Sequence, residues 1–376
     1  MNKRIVSVLT LALFLALAGT AAAKTLTLGT LGPITGSYAA DGNDIVKGAK
    51  TAVALFTEAG GVPGYDAIEV VSEDDACDPR QAVAGANKLV SQKVAAVIGS
   101  YCSSATIPAS DVLAESDIPM ITPASTNPKV TERGLKYMFR MCGIDAHQSK
   151  AAVEFMAKEL KAKTVFILDD KTTYSQHLAE YVAEGATKAG IKVLAHDHVN
   201  EGDMDFSAVL TKIKEAKPDV FYMSLQNSSS GIRMIKQIRQ LGIQCNILSQ
   251  DAVYHPNFIK EATADAQGVY FTFGWVDPST ENYKKYIDKY KALFGDPGAY
   301  SAYAFDAAWV ALTAIKAANS TDPAKMRAEI MKIDMPGASK SIKFQENGDS
   351  GSNYVIYVVK GDKFAPLYDP SSGKKF

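Results

Sequence analysis

Residues 73–128 read EDDACDPRQAVAGANKLVSQKVAAVIGSYCSSATIPASDVLAESDIPMITPASTNP. Apolar runs at 68–72 and 94–99 each lead into a polar loop that holds one cysteine, and a third run at 118–121 opens into TPAST. Hydroxyl groups and helix N-termini therefore gather where strands end. In an α/β sheet, this is the edge that binds small anionic groups. The stretch predicts an α/β fold with a binding site at that edge.

The same alternation of strand, polar loop and helix runs through both halves of the chain. Predicted strands of the first half are 25–30, 68–72, 94–99 and 118–121. After Gly143 the pattern restarts, with predicted strands at 164–168, 192–196, 220–224 and 246–249. This alternation and the length indicate two doubly wound lobes with parallel sheets. Beyond Gly268 the order is less regular, and a return to the first lobe is expected from a crossing strand at 269–273, helices at 279–294 and 303–318, and short antiparallel strands near the end.

The N-terminus has the features of a secretory signal peptide. Lys3 and Arg4 precede an apolar run at 5–17, and three alanines end at Ala23. We predict export with cleavage after Ala23, because the run is too short for a comfortable membrane span. No cysteine stands at the cleavage point to carry a lipid anchor. The mature chain carries a net charge of about −3, which gives no support for nucleic-acid binding.

The cysteines are interpreted from their position and their compartment. Export places them in oxidising surroundings. Cys77 and Cys102 follow predicted strands, and if those strands are neighbours, the two loops lie at a distance that a disulfide can close. Cys142 and Cys245 are far apart in sequence, which favours buried thiols. No CxxC or HxxxH motif accompanies them, so they do not indicate a zinc site.

Catalytic signatures are scarce in this sequence. It holds no GxSxG, HExxH or GxxxxGK[ST] motif, and no GxGxxG follows the first strand. His196 and His198 share one face of a predicted strand, but no third metal ligand is evident, and surface histidines are the simpler interpretation. We therefore expect no enzyme, no metal and no cofactor.

Polar groups at the strand ends suggest a site for a small charged ligand. Ser103, at a helix N-terminus, offers a hydroxyl and free N–H groups to a carboxylate, although a serine there is equally an ordinary N-cap. Ala124, Ser125 and Thr126 close on the same edge and favour the ligand interpretation. Asp251 holds the equivalent place in the second lobe, where it could receive an ammonium group or cap a turn. Loop tips near this edge carry further candidates, each individually more typical of plain loop: Tyr174, Gln226, Asn227 and Tyr300.

Several of these segments occur together in one known family. DDACDP at 74–79, YCSSAT at 101–106 and MITPAST at 120–126 resemble the leucine/isoleucine/valine-binding protein family. Shorter similarities, LGPITG at 31–36 and DFS at 205–207, extend the resemblance along the mature chain. These proteins are type I periplasmic solute receptors of amino-acid ABC importers. The resemblance implies two Rossmann-like lobes with a ligand cleft between them and a three-crossover hinge, divided as signal peptide 1–23, first lobe 24–142 plus 272–348, and second lobe 143–271 plus 349–376.

The resemblance also implies roles for individual residues. Ser103 and Thr126 would hold a ligand carboxylate by hydroxyl and backbone N–H, and the Ala124 carbonyl would accept from the ligand ammonium group. Asp251 stands where the family places an acidic partner for the ammonium. Tyr174 matches a tyrosine that closes over the ligand from the second lobe.

Departures from the family gather in the side-chain pocket. Asp41 aligns where branched-chain receptors carry an aromatic residue, although Tyr38 could take that place, and Gln226 aligns with a tyrosine. Tyr101 and Tyr300 would stay as aromatic walls. A buried carboxylate needs a partner. The expected ligand is therefore an α-amino acid of the branched-chain type or, from the altered pocket, one with a polar or cationic side chain.

The resemblance implies the function as well. The protein is expected to be a periplasmic monomer, with the family disulfide Cys77–Cys102, that binds a free amino acid by hinge closure. Its partner would be an inner-membrane ABC permease with its ATPase. A sensory module that signals to a membrane receptor is the alternative, and an exported enzyme would need catalytic residues that are not evident. A transcription repressor of this fold would need a helix-turn-helix where this chain has a predicted signal peptide.

Overall fold

The structure is a computed structural model that describes residues 23–351 and 353–376. The predicted signal peptide, apart from Ala23, lies outside the described residues. Within these two ranges, no helix is both long enough and apolar enough to cross a membrane. The described chain forms two α/β lobes, each built on its own sheet.

Strands and helices alternate along most of the described chain. Its strands are β1 (Thr25–Gly32), β2 (Ala67–Asp74), β3 (Val97–Gly99), β4 (Met120–Thr122), β5 (Met138–Arg140), β6 (Thr164–Asp169), β7 (Lys192–His198), β8 (Val220–Ser224), β9 (Asn246–Ser249), β10 (Tyr270–Gly274), β11 (Asp334–Pro336), β12 (Ser341–Lys343), β13 (Tyr354–Lys360), β14 (Lys363–Asp369) and β15 (Lys374–Lys375). Its α-helices are α1 (Ala39–Glu58), α2 (Pro79–Ser91), α3 (Ser103–Glu115), α4 (Asp145–Lys158), α5 (Thr173–Lys188), α6 (Ser207–Ala216), α7 (Ser228–Gln240), α8 (Pro256–Ala262), α9 (Glu281–Phe294), α10 (Ser301–Ala318) and α11 (Pro323–Ile330).

Two sheets organise the lobes. The first has the strand order β2-β1-β3-β4-β5 and is parallel throughout. The second has the order β15-β14-β13-β10-β9-β8-β6-β7, parallel from β7 to β10 and antiparallel from β10 to β15. A separate antiparallel pair joins β11 and β12. The predicted two-lobed α/β fold is confirmed.

Burial on both faces explains why the central strands are so apolar. Every residue of β3 and of β8 is buried, as expected for parallel strands with helices on each side. The alanine-rich helix α10 is buried along most of its length and packs against α1. Gly48 permits this close contact, because a Cβ atom there would lie 2.4 Å from the carbonyl oxygen of Ser301.

Several element boundaries differ from the predictions. Helix α3 begins at Ser103 rather than at 107, and β3 covers Val97–Gly99 instead of 94–99. The predictions missed β5, α8 and α11, which contain three, seven and eight residues. Elements this short carry too little periodicity to be recognised in a single sequence.

Asp44 ties the returning segment of the chain to the first lobe. It lies inside α1, which begins at Ala39, so it does not cap that helix. Its buried carboxylate instead accepts from the backbone N–H groups of Tyr300 (3.0 Å) and Ser301 (2.8 Å), and from the Tyr290 hydroxyl (2.8 Å). Asp44 therefore caps the N-terminus of α10, which satisfies donors that the helix itself cannot.

The described chain passes between the lobes three times. It leaves the first sheet after β5, returns after β10 to helices that pack on α1, and re-enters the second sheet at β13. The predicted boundary between 271 and 272 falls inside β10, a strand that pairs with β9 and β13 in the second sheet.

Arg140 forms a buried polar hub beside the first and third of these passages. Its Nε donates to Asp349 Oδ1 at 2.7 Å, and its Nη2 donates to the Thr131 hydroxyl at 2.6 Å. Its Nη1 donates to the carbonyl oxygens of Asn127 (2.8 Å) and Ser125 (3.2 Å). The arginine side chain is fully buried, so water does not solvate its charge, and these partners stabilise the charge instead.

Removal of the Asp349 carboxylate should destabilise the protein strongly. We expect Asp349→Ala to lower the free energy of unfolding by about 3–5 kcal/mol, because it leaves the Arg140 charge buried without its counter-ion. Asp334→Ala is the matched control, since its partner Lys343 is 74% exposed and such pairs contribute at most about 1 kcal/mol. Urea denaturation followed by circular dichroism measures both. Equal losses in the two variants would contradict a structural role for the Arg140 hub.

Candidate ligand-binding site

A disulfide joins the polar loops that follow β2 and β3. Cys77 and Cys102 are bonded, with their Cα atoms 5.5 Å apart, and the predicted disulfide is confirmed. The strands that precede them are not neighbours, however, because β1 lies between β2 and β3. The loops meet beyond the end of β1, where the Asp75 N–H donates to the Gly32 carbonyl at 3.1 Å. The bond therefore spans the carboxyl end of β1.

The N-terminus of α3 lacks a side-chain cap. Its N-cap residue is Cys102, whose sulfur is in the disulfide and accepts no N–H from the helix. Ser103 is the first helical residue, so its interpretation as an ordinary N-cap is wrong. By contrast, Asp78 caps α2 by accepting from the N–H groups of Arg80 and Gln81, both at 2.9 Å. Helix α3 thus presents donors and a positive dipole end to an anion.

Hydroxyl groups fasten the neighbouring loop at 122–126 to the start of α3. The Thr122 hydroxyl donates to the Ser100 carbonyl at 2.8 Å and accepts from the Ser125 N–H at 3.1 Å. The hydroxyls of Ser125 and Thr106 are 2.6 Å apart, and the Ser125 hydroxyl also lies 3.0 Å from the Tyr101 carbonyl oxygen. These hydroxyls are used inside the protein, so they hold the loop in place and are not free for a ligand.

Thr126 differs from these neighbours. Its side chain is buried, yet its Oγ1 atom has no hydrogen-bond partner among the described residues. The Ser103 hydroxyl, on the facing helix, accepts only a long hydrogen bond of 3.4 Å from the Asn127 N–H. A buried hydroxyl without a partner costs about 1–3 kcal/mol. An unmet group of this kind beside an uncapped helix N-terminus is expected where a ligand completes the hydrogen bonding.

The second lobe contributes a buried carboxylate. Asp251 follows β9 and accepts from the Tyr174 hydroxyl and from Gln148 Nε2, the latter at 3.0 Å. Both donors are neutral, and burial raises the pKa of Asp251 to about 6. Gln148 was missed by the sequence analysis, because a glutamine inside a helix carries no signal that it will meet a distant aspartate. Asp251 is thus an acid whose ionised form still lacks a cationic partner.

Predicted residues from both lobes surround one cavity. It is small, with a volume of about 10 Å³, roughly the space that one water molecule needs. Seven predicted residues and one that was missed line it: Tyr101, Ser103, Ala124, Tyr174, Gln226, Asp251, Tyr300 and the missed Ala252. Ala252 is a small apolar residue in a short 3-10 turn, so the sequence pattern offered nothing to single it out.

Three predicted candidates do not line this cavity: Thr126, Asp41 and Asn227. Asp41 is buried close to Tyr101 and Tyr300, whose hydroxyl pKa values are raised chiefly by burial and also by the nearby Asp41 charge. Burial, together with the charge of Asp44, raises the pKa of Asp41 itself to about 8. The alternative pocket residue, Tyr38, packs on Tyr101 with ring centroids 6.0 Å apart. Tyr101 and Tyr300 both line the cavity and contact each other edge to face, with ring centroids 5.3 Å apart.

The two lobes touch around the cavity, so the structure is closed. Asn127 Nδ2 in the first lobe donates to the Thr173 carbonyl in the second at 3.2 Å. In the opposite direction, Asn227 Nδ2 donates to the Ser37 carbonyl at 3.1 Å. Further contacts join Tyr38 to Glu201 and Gln226 to Cys102. Two α/β lobes that meet over a small polar cavity define a type I periplasmic binding protein.

The chain belongs to the periplasmic binding protein family, whose model matches residues 25–364. It is similar to an amino acid binding protein of Pseudomonas aeruginosa, with 36% identity over 334 residues, 88% of this chain and 89% of that protein. The leucine-, isoleucine-, valine-, threonine-, and alanine-binding protein of that species is 34% identical over 338 residues, 89% of this chain and 90% of that protein. A crystal structure of a leucine binding protein from Thermotoga maritima has a TM-score of 0.85 at 31% identity, covering 92% of this chain and 99% of that one. The predicted resemblance is confirmed.

Two threonine substitutions should separate the structural hydroxyls from the unmet one. We expect Thr106→Val to lower the free energy of unfolding of the ligand-free protein by about 1–3 kcal/mol, because it removes the partner of Ser125 and of the Ser100 N–H. Thr126→Val should lower the free energy of unfolding by less than about 0.5 kcal/mol, or raise it, because the lost hydroxyl has no partner among the described residues. Urea denaturation measures both. A loss for Thr126→Val as large as that for Thr106→Val would contradict the assignment of Thr126 as unmet.

Proposed function

We propose that this protein is the periplasmic receptor of an ABC importer and binds a free α-amino acid between its lobes. The observation that supports this most is the pairing of two incomplete sites across one cavity. The uncapped helix N-terminus with Ser103 stands on one side of the cavity, and the buried carboxylate of Asp251 stands on the other. The Thr126 hydroxyl, which has no partner among the described residues, belongs to the loop that contacts this helix but does not line the cavity. An α-amino acid carries one anionic and one cationic group and would complete both.

The first lobe would hold the ligand carboxylate. In this proposal the Ser103 and Thr126 hydroxyls and the first N–H groups of α3 donate to it, which also places the anion at the positive end of the helix dipole. Ala124 lines the cavity, and its carbonyl oxygen would accept from the ligand ammonium group. Hydrogen bonds to a charged group contribute more than neutral ones, about 1.5–3 kcal/mol each.

The second lobe would bind the ammonium group and close the site. Asp251 would become its counter-ion, with Tyr174 continuing to donate to the same carboxylate. Because the carboxylate and ammonium partners belong to different lobes, the ligand stabilises the closed form more than the open form. The bodies that move in this proposal are 24–142 plus 275–348 and 143–274 plus 349–376, which keeps β10 with its own sheet. The closed monomer would then dock on an inner-membrane permease with its ATPase.

The side chain of the ligand is the part that the relatives leave open. Their names include leucine, isoleucine, valine, threonine and alanine, which favours a small or branched ligand. Gln226, however, lines the cavity with a polar amide, and Asp41 is buried close to Tyr101 and Tyr300. A ligand side chain that extends past these rings would meet Asp41, and a cationic group there would lower the raised pKa of its carboxyl and favour the ionised form. We propose a polar or cationic α-amino acid.

Calorimetric titration with each of the twenty amino acids tests both levels of the proposal. We expect one or a few polar or basic amino acids to bind with one site per chain and a Kd at or below the micromolar range. Tight binding of leucine, isoleucine and valine alone would keep the amino-acid receptor but refute the polar pocket. If no amino acid binds, the proposed function itself is wrong.

The affinity should fall in acid because the ammonium site needs an ionised Asp251. Its pKa in the free protein is raised to about 6, and an ammonium partner lowers it, so binding is full above pH 6 and weakens as the pH falls. We expect the Kd to rise about tenfold per pH unit below that value. Asp251→Asn should weaken binding at neutral pH and remove this dependence.

The control for this titration is Asp306→Asn. Asp306 is also a buried acid with a pKa raised to about 6, but its carboxylate accepts from the N–H groups of Ala338 and Ser339, away from the cavity. This variant should keep the acid loss of affinity. A flat profile in Asp306→Asn, or an unchanged one in Asp251→Asn, would contradict the assignment to Asp251.

A further inference from the structure

Two histidines and an aspartate converge at one edge of the second sheet. In the described residues, the Asp169 Oδ2 atom lies 2.7 Å from His196 Nε2 and 2.8 Å from His198 Nδ1. The ligand atoms of the three side chains are all within 4.8 Å of one another. We propose that these three residues bind a divalent transition-metal ion of the zinc type.

Strand pairing brings the three residues together. In the parallel pair of β6 and β7, Asp169 is opposite His198 and Ile167 is opposite His196. Residues two apart in a strand point to the same face, so both imidazoles face the Asp169 carboxylate. Asp197, between them, points away and forms an ion pair with Lys212 at 2.7 Å. The sequence showed two of the three ligands, and the third was not evident because it lies on another strand.

The surroundings of the cluster suit a bound ion. The second carboxylate oxygen of Asp169 accepts from the Lys171 N–H at 2.8 Å, which fixes the carboxylate in its orientation towards the histidines. Asp169 is fully buried, whereas the His196 and His198 side chains are 21% and 40% exposed. An ion can therefore enter from solvent and complete its coordination with water. Three protein ligands plus water is a common arrangement for Zn²⁺.

The donor set selects the class of metal. Two imidazole nitrogens and one carboxylate oxygen suit Zn²⁺, Cu²⁺ or Ni²⁺, whereas Ca²⁺ and Mg²⁺ prefer sites built from oxygen atoms. Zinc forms bonds of about 2.0–2.2 Å to such atoms, so the three donors need to separate only slightly around it. Because β7 is the outer strand of its sheet, the ion would join this edge strand to β6.

The metal site is separate from the amino-acid cavity. None of its three residues lines that cavity. The adjacent Asp170 belongs to the cleft side instead, where it accepts from the Gln226 N–H at 2.7 Å. Zinc binding and amino-acid binding can therefore be tested independently, and failure of one leaves the other in place.

The experiment is titration of the untagged mature protein with Zn²⁺ alone, after treatment with a chelator. We expect one ion per chain and a higher melting temperature in the presence of zinc. His196→Gln and His198→Gln should each weaken zinc binding by at least about 100-fold, since even the loss of a group outside the coordination sphere costs about 10–100-fold. Both histidines are partly exposed, so the variants should stay folded, and circular dichroism checks this without reference to amino-acid binding.

Asp197→Asn is the matched control. It removes a carboxylate from the same strand, between the two histidines, but from the opposite face, and it should leave zinc binding unchanged. The proposal is overturned if the wild-type protein binds no zinc at micromolar concentrations. It is equally overturned if both histidine variants bind zinc as tightly as Asp197→Asn does, because the ion would then lie elsewhere.

Discussion

The buried guanidinium of Arg140 holds the binding loop, the sheet edge and a crossing segment in one arrangement. It lies on the last strand of the first sheet and donates to the carbonyl groups of Ser125 and Asn127, which flank Thr126. Its counter-ion, Asp349, lies where the chain passes towards the second sheet. A buried charge has to keep its partners, because water is not available to replace them. The position of Thr126 therefore depends on a residue outside the cavity, and the same residue contacts a segment between the lobes.

Around this hub, internal contacts hold the loops of the first lobe in place. The Cys77–Cys102 disulfide fixes two of the loops. The hydroxyls of Thr106 and Ser125 form a hydrogen bond with each other and fix the loop at 122–126. Gly99 allows the chain to turn into this region, since its φ of +142° and the Leu31 carbonyl leave no room for a side chain. The buried Thr126 hydroxyl, in the loop beside the start of α3, has no hydrogen-bond partner among the described residues. Such a lobe is already arranged for its ligand and loses little conformational freedom on binding.

Neighbouring acids in the second lobe show how strand geometry separates functions. Asp169 faces the two histidines at the sheet edge. Asp170 accepts a hydrogen bond of 2.7 Å from the Gln226 N–H on the cleft side. In the sequence, the two are simply adjacent acids that follow the predicted strand at 164–168. Which of the two meets histidine and which supports the cleft depends on the direction of each side chain and on the order β8-β6-β7, and neither can be read from adjacent letters.

By itself, the sequence determined the alternation of strands and helices, the two lobes, the disulfide pair and most residues around the cavity. These features depend on local periodicity, on turn residues and on motifs that lie within a few positions of one another. Only the tertiary structure decided that β1 separates the two cysteine-bearing strands, that Asp44 caps α10, that Gln148 meets Asp251 and that Asp169 joins the histidines. Each of these contacts joins segments that are distant in sequence. Their partners follow from strand order and from the contact between lobes, which local pattern does not encode.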